Sequence, residues 1–251
     1  MIALLAALEE EASGLRRRMA LAPEGVAGLN HPACVGLYQR RPVVLAWTGM
    51  GRQQAEAGAE AVLARYEVTA VISIGYSGAL ERRLRVGDLV LASELMGLLG
   101  PGGHEIEPTV YQADQGLLGT ATEALRATPL RVVVGSTVTA PGIIATPAEK
   151  QGLGRQTGAV AVDMESYWVA RAASERGFPF LALRAISDAQ QDLLPPFDQI
   201  LDADGNPGTR RLAAHLIREP GSLVRLVKLA RDSGRARRAL TTGVACTVAA
   251  L

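Results

Sequence analysis

The sequence is poor in residues that build disulfide scaffolds, metal clusters and nucleic-acid interfaces. Its two cysteines, Cys34 and Cys246, and its three histidines fit no metal-binding spacing and give no disulfide framework. Lysine is also scarce, and we attribute the presence of only Lys150 and Lys228 to a GC-rich coding bias rather than to chemistry. The net charge of +1 excludes the basic field of a nucleic-acid-binding domain.

Long hydrophobic runs are missing as well. The longest charge-free run near the C-terminal end, 239–251, has 13 residues, whereas a membrane-spanning helix needs about 20. The apolar start, 1–7, lacks the basic region of a signal peptide, and glutamates 9–11 follow it at once. Both features favour a cytoplasmic location. Apolar residues still make up 48% of the chain, which excludes an intrinsically disordered protein.

Short apolar runs alternate with helical patterns, which is typical of an α/β protein. Strands are predicted at 2–7, 43–47, 69–74, 88–92, 131–134 and 180–186, and helices at 51–66, 113–127 and 164–177. The length of 251 residues suits one hydrophobic core. We therefore expect a single three-layer αβα domain over 1–217, with a twisted mixed sheet flanked by helices. Segment 188–208 is predicted to be a loop because it is rich in Asp, Pro and Gly.

Residues 218–251 have a different character and are predicted to extend this domain as a basic amphipathic C-terminal helix and tail. Helices are predicted at 209–217 and 222–238. The stretch 218–238 contains seven Lys or Arg and two acidic residues. Two interpretations stay open. The segment is either a surface helix packed on the core or, over 221–238, a peripheral contact with an anionic membrane.

Two glycine-rich turns follow predicted strands. The turn at 49–52 lacks the third glycine of a dinucleotide-binding fingerprint. The turn at 75–79 nearly matches a nucleophile elbow, but Ala79 replaces its closing glycine and no histidine stands in a motif. We expect both turns to be ligand-facing bends at strand ends, with these binding residues: Gly49, Gly75, Tyr76 and Ser77.

Acidic residues follow three of the predicted strands. Glutamates 9–11 come after the first strand, Asp163 and Glu165 follow the apolar run 159–162, and Asp188 closes another strand. Acidic side chains at the start of a helix also interact favourably with the helix dipole, so capping a helix is an alternative role for these residues. Because strand ends meet at one edge of an α/β sheet, we expect the acids to converge on one partly dry site that raises carboxyl pKa values.

Five motifs together resemble the nucleoside phosphorylase/nucleosidase superfamily. They occur in family order at 7–11, 48–51, 86–88, 162–165 and 184–188. The resemblance is closest to methylthioadenosine/S-adenosylhomocysteine nucleosidases. The C-terminal part resembles the hopanoid-associated branch, which removes adenine from adenosylhopane.

The resemblance implies roles for individual residues. Asp188 would protonate the purine, and Glu11 would orient the attacking water. Glu165 would bind the ribose hydroxyls, and Met164 would pack against the sugar. Ser187 and Ile143 are further expected binding residues. A homodimer acting on a small nucleoside, with no metal and no cofactor, is also implied.

Some residues depart from the family and keep alternatives open. Phosphorylases place an arginine where this chain has Ser73, so water is the expected acceptor, although Arg52 could still bind phosphate. Tyr76 replaces a small serine, and the base-facing loop 139–145 lacks the usual aromatic. A phosphorylase, a futalosine-type hydrolase and a non-catalytic nucleoside-binding or membrane-adaptor protein remain alternatives.

The apolar, glycine-rich segment 95–100 has two interpretations. It is either part of the core or the mouth for a hydrophobic 5′ substituent, where each buried CH₂ contributes about 0.8 kcal/mol. Together with the basic C-terminal helix, the second interpretation predicts a lipid-linked adenosine as substrate.

Overall fold

The computed structural model describes residues 1–100, 105–195 and 222–251, without the side chains of 222–226. The strands are β1 (Ile2–Ala6), β2 (Ala22–Glu24), β3 (Ala33–Tyr38), β4 (Arg41–Trp47), β5 (Ala70–Ala79), β6 (Leu89–Leu99), β7 (Glu105–Ile106), β8 (Tyr111–Gln112), β9 (Val132–Thr139), β10 (Ala161–Asp163) and β11 (Phe180–Asp188). The helices are α1 (Glu9–Arg18), α2 (Arg52–Arg65), α3 (Gln115–Arg126), α4 (Pro147–Thr157), α5 (Ser166–Glu175) and α6 (Ser222–Ala250).

The strands form a mixed sheet in the order β10-β9-β6-β11-β5-β1-β4-β3-β2. Its centre, β4-β1-β5-β11, is parallel, while β6 runs antiparallel to β11. β10 also pairs with β5, so five strands close on themselves like a small barrel. Helices α1, α3 and α6 share a buried cluster on one face, and α2 and α5 share another with the opposite face. The predicted three-layer α/β fold with a mixed sheet is confirmed.

The central strands form because their side chains are apolar on both faces, as a sheet covered by helices requires. Leu4 of β1 lies opposite Leu45 on one side and Ile72 on the other. The predicted strands at 2–7, 43–47, 69–74 and 180–186 correspond to β1, β4, β5 and β11. These parallel strands carry their carboxyl ends to one edge of the sheet, where α/β proteins bind ligands.

Helix α6 is longer than the predicted helix 222–238 and belongs to the core. Its second half buries Leu240, Val244 and Val248 completely against the sheet face. A Cβ on Gly14 of α1 would lie 2.2 Å from Oγ1 of Thr241, so the Thr241 side chain of α6 packs directly against the backbone of α1. No helix among the residues that the structure describes is long and apolar enough to cross a membrane.

Some predicted segments fall elsewhere. The predicted helix 209–217 and the part of the predicted loop from 196 to 208 lie outside the described residues. Helix α4 has no counterpart in the prediction, although Thr146 and Glu149 form a capping box at its start and Pro147 is its first residue. Gly158 ends this helix in the left-handed conformation.

Candidate active site

A cavity of about 310 Å³ opens where β1, β5, β10 and β11 end. Three acids predicted to converge, Glu11, Glu165 and Asp188, line it together. Each is more than nine-tenths buried. Residues of α6 complete the wall, namely Leu229 and Ser233. The sequence therefore brings acids separated by up to 177 positions, from 11 to 188, into one site.

Glu11 is held by the backbone on both of its carboxylate oxygens. Oε2 accepts hydrogen bonds from the amides of Ala7 and Leu8 at 3.0 and 2.9 Å. Oε1 accepts the amide of Tyr76 at 2.7 Å. These bonds fix the carboxylate between the end of β1 and the end of β5, so its orientation is set before a ligand binds.

Glycine at position 75 makes this arrangement possible. A Cβ on Gly75 would lie 2.2 Å from Nη1 of Arg184 and 2.7 Å from Oε1 of Glu11. Both side chains therefore pass directly against the backbone of β5. The glycine acts by leaving space for them, while the neighbouring Tyr76 amide binds Glu11.

Arg184 is a buried cation beneath the cavity that the sequence reasoning left without a role. Its Nε binds Oγ of Ser166 at 2.7 Å and faces Oδ2 of Asp163 at 3.1 Å. Its Nη2 binds Oγ of Ser73 at 2.9 Å. Its Nη1 has no hydrogen-bond partner in the described part of the chain. This nitrogen lies against the backbone of Gly75, beside Glu11.

Asp163 organises the start of α5. Its Oδ1 accepts the amides of Glu165 and Ser166, both at 3.0 Å, and the hydroxyl of Thr139 at 2.7 Å. Asp163 thus acts as the predicted helix-start acid. Glu165 is left to face the cavity, where its Oε1 accepts the amide of Gly51 at 2.9 Å.

The buried charges around the cavity do not balance. Four acids (Glu11, Asp163, Glu165 and Asp188) stand against two cations (Lys150 and Arg184), all of them buried. Asp163 pairs with Arg184 and Asp188 with Lys150, so the two glutamates carry the excess. Burial raises the pKa of Glu11 despite the lowering effect of Arg184. Burial also raises the pKa of Glu165 to about 8, with Arg184 again opposing and Asp163 adding to the rise.

The raised pKa of Glu165 predicts that stability falls as pH rises. Folding raises the pKa of Glu165 from 4.5 to about 8, so the folded chain holds this proton more tightly than the unfolded chain. The resulting stabilisation is complete below pH 4.5 and is lost as pH approaches and passes 8. Urea unfolding should show a decline of about 1 kcal/mol per pH unit attributable to this group.

Glu165→Gln should remove that part of the decline, because glutamine mimics the protonated acid and still accepts from Gly51. The variant is expected to be more stable than the parent at pH 8. Glu67→Gln, at an exposed position, is the matched control and should leave the slope unchanged. Equal pH slopes for the parent and Glu165→Gln would contradict the assignment.

Asp188 ends β11 and is hydrogen-bonded on both oxygens. Oδ1 accepts the hydroxyl of Ser187 at 2.8 Å, and Oδ2 accepts Nζ of Lys150 at 2.5 Å. Lys150 comes from α4 and is completely buried. The sequence alone gave this lysine no role, whereas the structure pairs it with Asp188. The capping box of α4 could have located the helix, but no local signal pairs position 150 with position 188.

Most of the predicted binding residues line the cavity: Tyr76, Ser77, Ile143, Met164, Glu165 and Ser187. The hydroxyls of Tyr76 and Ser77 are buried and have no hydrogen-bond partner within the described residues. An unpaired buried hydroxyl is costly, so both are suited to a polar ligand.

Other predicted features lie away from the cavity. Gly49 and Gly75 do not line it, because their turns present the neighbouring residues Met50 and Tyr76 instead. The segment 95–100 does not line it either, since Leu95 and Leu98 point into the core. Arg52 stacks on the ring of Trp168 at 4.1 Å and is not among the lining residues.

The described residues contain no group of three or more His, Cys, Asp or Glu side chains arranged to hold a metal ion. Among the described lining residues there is also no Lys, Arg or His. The cavity therefore offers carboxylates, hydroxyls, backbone amides and apolar side chains. This set suits a neutral, hydroxyl-rich ligand that develops positive charge.

Nucleosidases are among the known proteins whose sequences are similar to this chain. The 5′-methylthioadenosine/S-adenosylhomocysteine nucleosidase of Bacillus licheniformis is 28% identical over 218 residues, which cover 80% of this chain and 91% of that protein. The enzyme of the same name from Bacillus cytotoxicus is 28% identical over 219 residues, with the same coverage.

Solved structures share the fold across the whole chain. Futalosine hydrolase of Helicobacter pylori superimposes with a TM-score of 0.79 at 17% identity, covering 100% of this chain and 97% of that one. The Neisseria meningitidis nucleosidase in complex with methylthio-immucillin-A gives 0.79 at 20% identity, covering 100% and 99%. The family model described as Phosphorylase superfamily matches residues 1–216. Because that match spans most of the sequence, the chain belongs to the Phosphorylase superfamily.

Proposed function

We propose that the protein is a nucleosidase that hydrolyses the N-ribosidic bond of a 5′-modified purine nucleoside and releases adenine. The observation that carries this proposal is the single cavity that collects Glu11, Glu165 and Asp188. The names of the Bacillus relatives support the substrate class.

The chemistry follows from the charges that the reaction develops. Breaking the bond between sugar and base leaves positive charge on the ribose ring and negative charge on the departing purine. Glu11 in its ionised form stabilises the first, and a proton delivered at Asp188 neutralises the second. Glu11 accepts the proton of the attacking water, and its raised pKa brings it closer to neutral pH. An acid on one side of the sugar and a base on the other parallel the inverting glycosidases.

Water is proposed as the acceptor rather than phosphate. A phosphate dianion needs cationic side chains, and the described lining residues include none. Arg52, the candidate phosphate ligand, is held by Trp168 and by an ion pair with Glu56 at 3.4 Å. Ser73 accepts a hydrogen bond from the buried Arg184 and does not line the cavity.

The outer part of the cavity is proposed to receive the 5′ substituent. Leu194 and Leu229 line it, and the second of these belongs to α6, beyond the residues that the family model matches. Apolar side chains there favour a hydrophobic substituent, including a lipid-linked one. Val227 is 61% exposed on the same helix, consistent with a peripheral membrane contact over 221–238. A cytoplasmic homodimer remains part of the proposal.

The test is a substrate panel assayed with and without inorganic phosphate. Adenosine, methylthioadenosine, S-adenosylhomocysteine, inosine and a long-chain 5′-alkyl adenosine are incubated with the purified protein, and free base is quantified by chromatography. We expect adenine release at the same rate in both conditions and a free reducing sugar as the other product. Ribose 1-phosphate formed only with phosphate would make the enzyme a phosphorylase. Binding of every compound without cleavage of any would make it a non-catalytic binding protein.

The same panel tests the lipid-linked substrate. A higher kcat/KM for the long-chain adenosine than for methylthioadenosine, together with co-sedimentation with anionic vesicles, is the expected outcome. Cleavage of small nucleosides alone and indifference to vesicles would contradict it.

A further inference from the structure

Lys150 is bonded as a complete ammonium ion inside the protein. Its Nζ donates to Oδ2 of Asp188 at 2.5 Å, to the carbonyl of Ala189 at 3.1 Å and to the carbonyl of Asp192 at 3.0 Å. An ammonium group has three N–H donors and no acceptor, so three oxygens satisfy it fully. The side chain is completely buried, which leaves water no part in this arrangement.

The same contacts give Asp188 the hydrogen-bond geometry of a carboxylate paired with a cation. Oδ2 accepts from Lys150, and Oδ1 accepts the hydroxyl of Ser187 at 2.8 Å. An ammonium ion donating to one oxygen and a hydroxyl donating to the other is the arrangement of a charge-assisted ion pair. The departing purine needs a proton, and among the described side chains Lys150 is the cation that donates a hydrogen bond to Asp188.

We propose, building on the nucleosidase function above, that Lys150 is the proton source of the reaction and that Asp188 passes its proton to the purine. One N–H bond of Lys150 breaks, and one N–H bond forms on the purine as the electron pair of the sugar–base bond moves into the ring. The oxygen of water bonds to the sugar carbon, and its proton goes to Glu11. Lys150 is left neutral and Glu11 protonated; Glu11 then releases its proton to solvent and Lys150 takes one up from solvent, which resets both groups with no net change in protons.

Ser187 makes room for this transfer. Its hydroxyl lies 2.8 Å from Oδ1 of Asp188 and 3.4 Å from the carbonyl of Ser77. Rotation toward Ser77 frees Oδ1 at the moment when Asp188 holds the proton. The lysine therefore acts through Asp188 and does not itself line the cavity.

The surrounding charges leave Asp188 as the carboxylate partner of Lys150. The oxygen Oδ2 of Asp192 accepts the amide of Ala189 at 2.9 Å and Nζ of Lys228 at 2.7 Å. The other buried acids nearby are Asp232, which pairs with Lys228, and Glu11, Asp163 and Glu165, which line the cavity together with Asp188.

The composition of the chain gives a direct test, because Lys150 and Lys228 are its only lysines. Protein labelled with ¹⁵N-lysine should give two side-chain nitrogen signals, which Lys228→Met assigns. We expect an ammonium signal for Lys150 at neutral pH, titrating at least about one pH unit lower in Asp188→Asn, where the counter-charge is gone. Identical titration of Lys150 in both proteins would overturn the pairing. This readout needs no substrate, so it stays informative if no nucleoside is cleaved.

Kinetics then test the proton source. In Lys150→Met the alkaline limb of the kcat profile should move to lower pH by about two units, since Asp188 alone then holds the proton. In Lys150→Arg the positive charge remains but the guanidinium keeps its protons, so kcat should fall by about 100-fold or more while adenine binds within about threefold of the parent.

The matched control is Lys228→Met, at the half-exposed lysine, which should leave the alkaline limb in place. Parental kcat in Lys150→Arg, or an unmoved limb in Lys150→Met, would overturn the proposal. Failure of the parent protein to cleave any nucleoside would instead remove the proposed function.

Discussion

Asp188→Asn is expected to lower adenine release by about 10²–10⁴-fold while nucleoside binding changes by less than about threefold. Asparagine has nearly the shape of aspartate, and its amide oxygen can still accept from Lys150. It cannot hold and pass on a proton, so the purine would have to leave with its negative charge. Adenine release gives the turnover, and titration calorimetry with adenine gives the binding.

The same substitution should also lower stability, because Lys150 would keep a buried charge without its counter-charge. Breaking a buried ion pair in this way costs about 3–5 kcal/mol. The double variant Asp188→Asn with Lys150→Met removes both charges and should recover most of the lost free energy of unfolding. Turnover should stay lost in the double variant.

Asp114→Asn is the matched control, because Asp114 caps α3 away from the cavity through the amide of Leu117 at 2.9 Å. Asparagine caps helices as well as aspartate does, so this variant should keep both stability and turnover. Parental turnover in Asp188→Asn would remove the assignment of the proton-transferring group.

Glu11→Gln is expected to have the second large effect, on both activity and folding. Glu11 accepts three backbone amides on its two oxygens. Glutamine has one oxygen and one NH₂, so one N–H donor of the backbone would face another donor. Leaving a buried donor unsatisfied costs about 1–3 kcal/mol of stability. Turnover should fall by about 10²–10⁴-fold, because the amide cannot accept the proton of water.

The matched control is Glu9→Gln, which removes one negative charge two positions away, on an exposed part of the same helix. It tests whether losing any glutamate charge at the start of α1 lowers stability and turnover as Glu11→Gln does. It should match the parent in urea unfolding and in adenine release. If Glu11→Gln lost stability but retained parental turnover per folded molecule, Glu11 would be a structural acid and not the base.

The parts of the fold that the sequence predicts are those in which local pattern and burial agree. Strands β1, β5 and β11 are apolar on both faces and lie in the centre of the sheet, so pattern alone identifies them. β3 was missed because it lies next to the short edge strand β2, is partly exposed and contains Gly36. α4 was missed because its interior glycines lower helix propensity, which the capping box at Thr146 offsets.

The end of α6 shows tertiary packing overriding local preference. The run 241–244 contains two threonines, a glycine and a valine, all of which are poor helix formers. Packing decides the outcome, since a Cβ on Gly243 would lie 2.4 Å from Leu89. Only glycine lets the helix approach the sheet this closely.

The site was predictable where acids follow strands and remained hidden where partners are distant in sequence. Glu11, Glu165 and Asp188 stand at strand ends, and sheet geometry brings such ends together. Lys150 lies on an unpredicted helix, and its bond to Asp188 joins positions 38 residues apart. From the sequence, Arg184 could be placed only inside a strand. Its ion-pair partner Asp163 and its hydrogen-bond partners Ser73 and Ser166 come from three other segments, so no local pattern shows its role.

The burial of α6 also bears on how the protein is made. β1 lies in the middle of the sheet, yet Leu4 shares its buried cluster with Leu240 and Val248, which are synthesised last of the three. While the ribosome still encloses residues 222–251, that side of the sheet has an uncovered apolar surface. This part of the core can close only after α6 has emerged, and until then the exposed apolar face favours association with other chains.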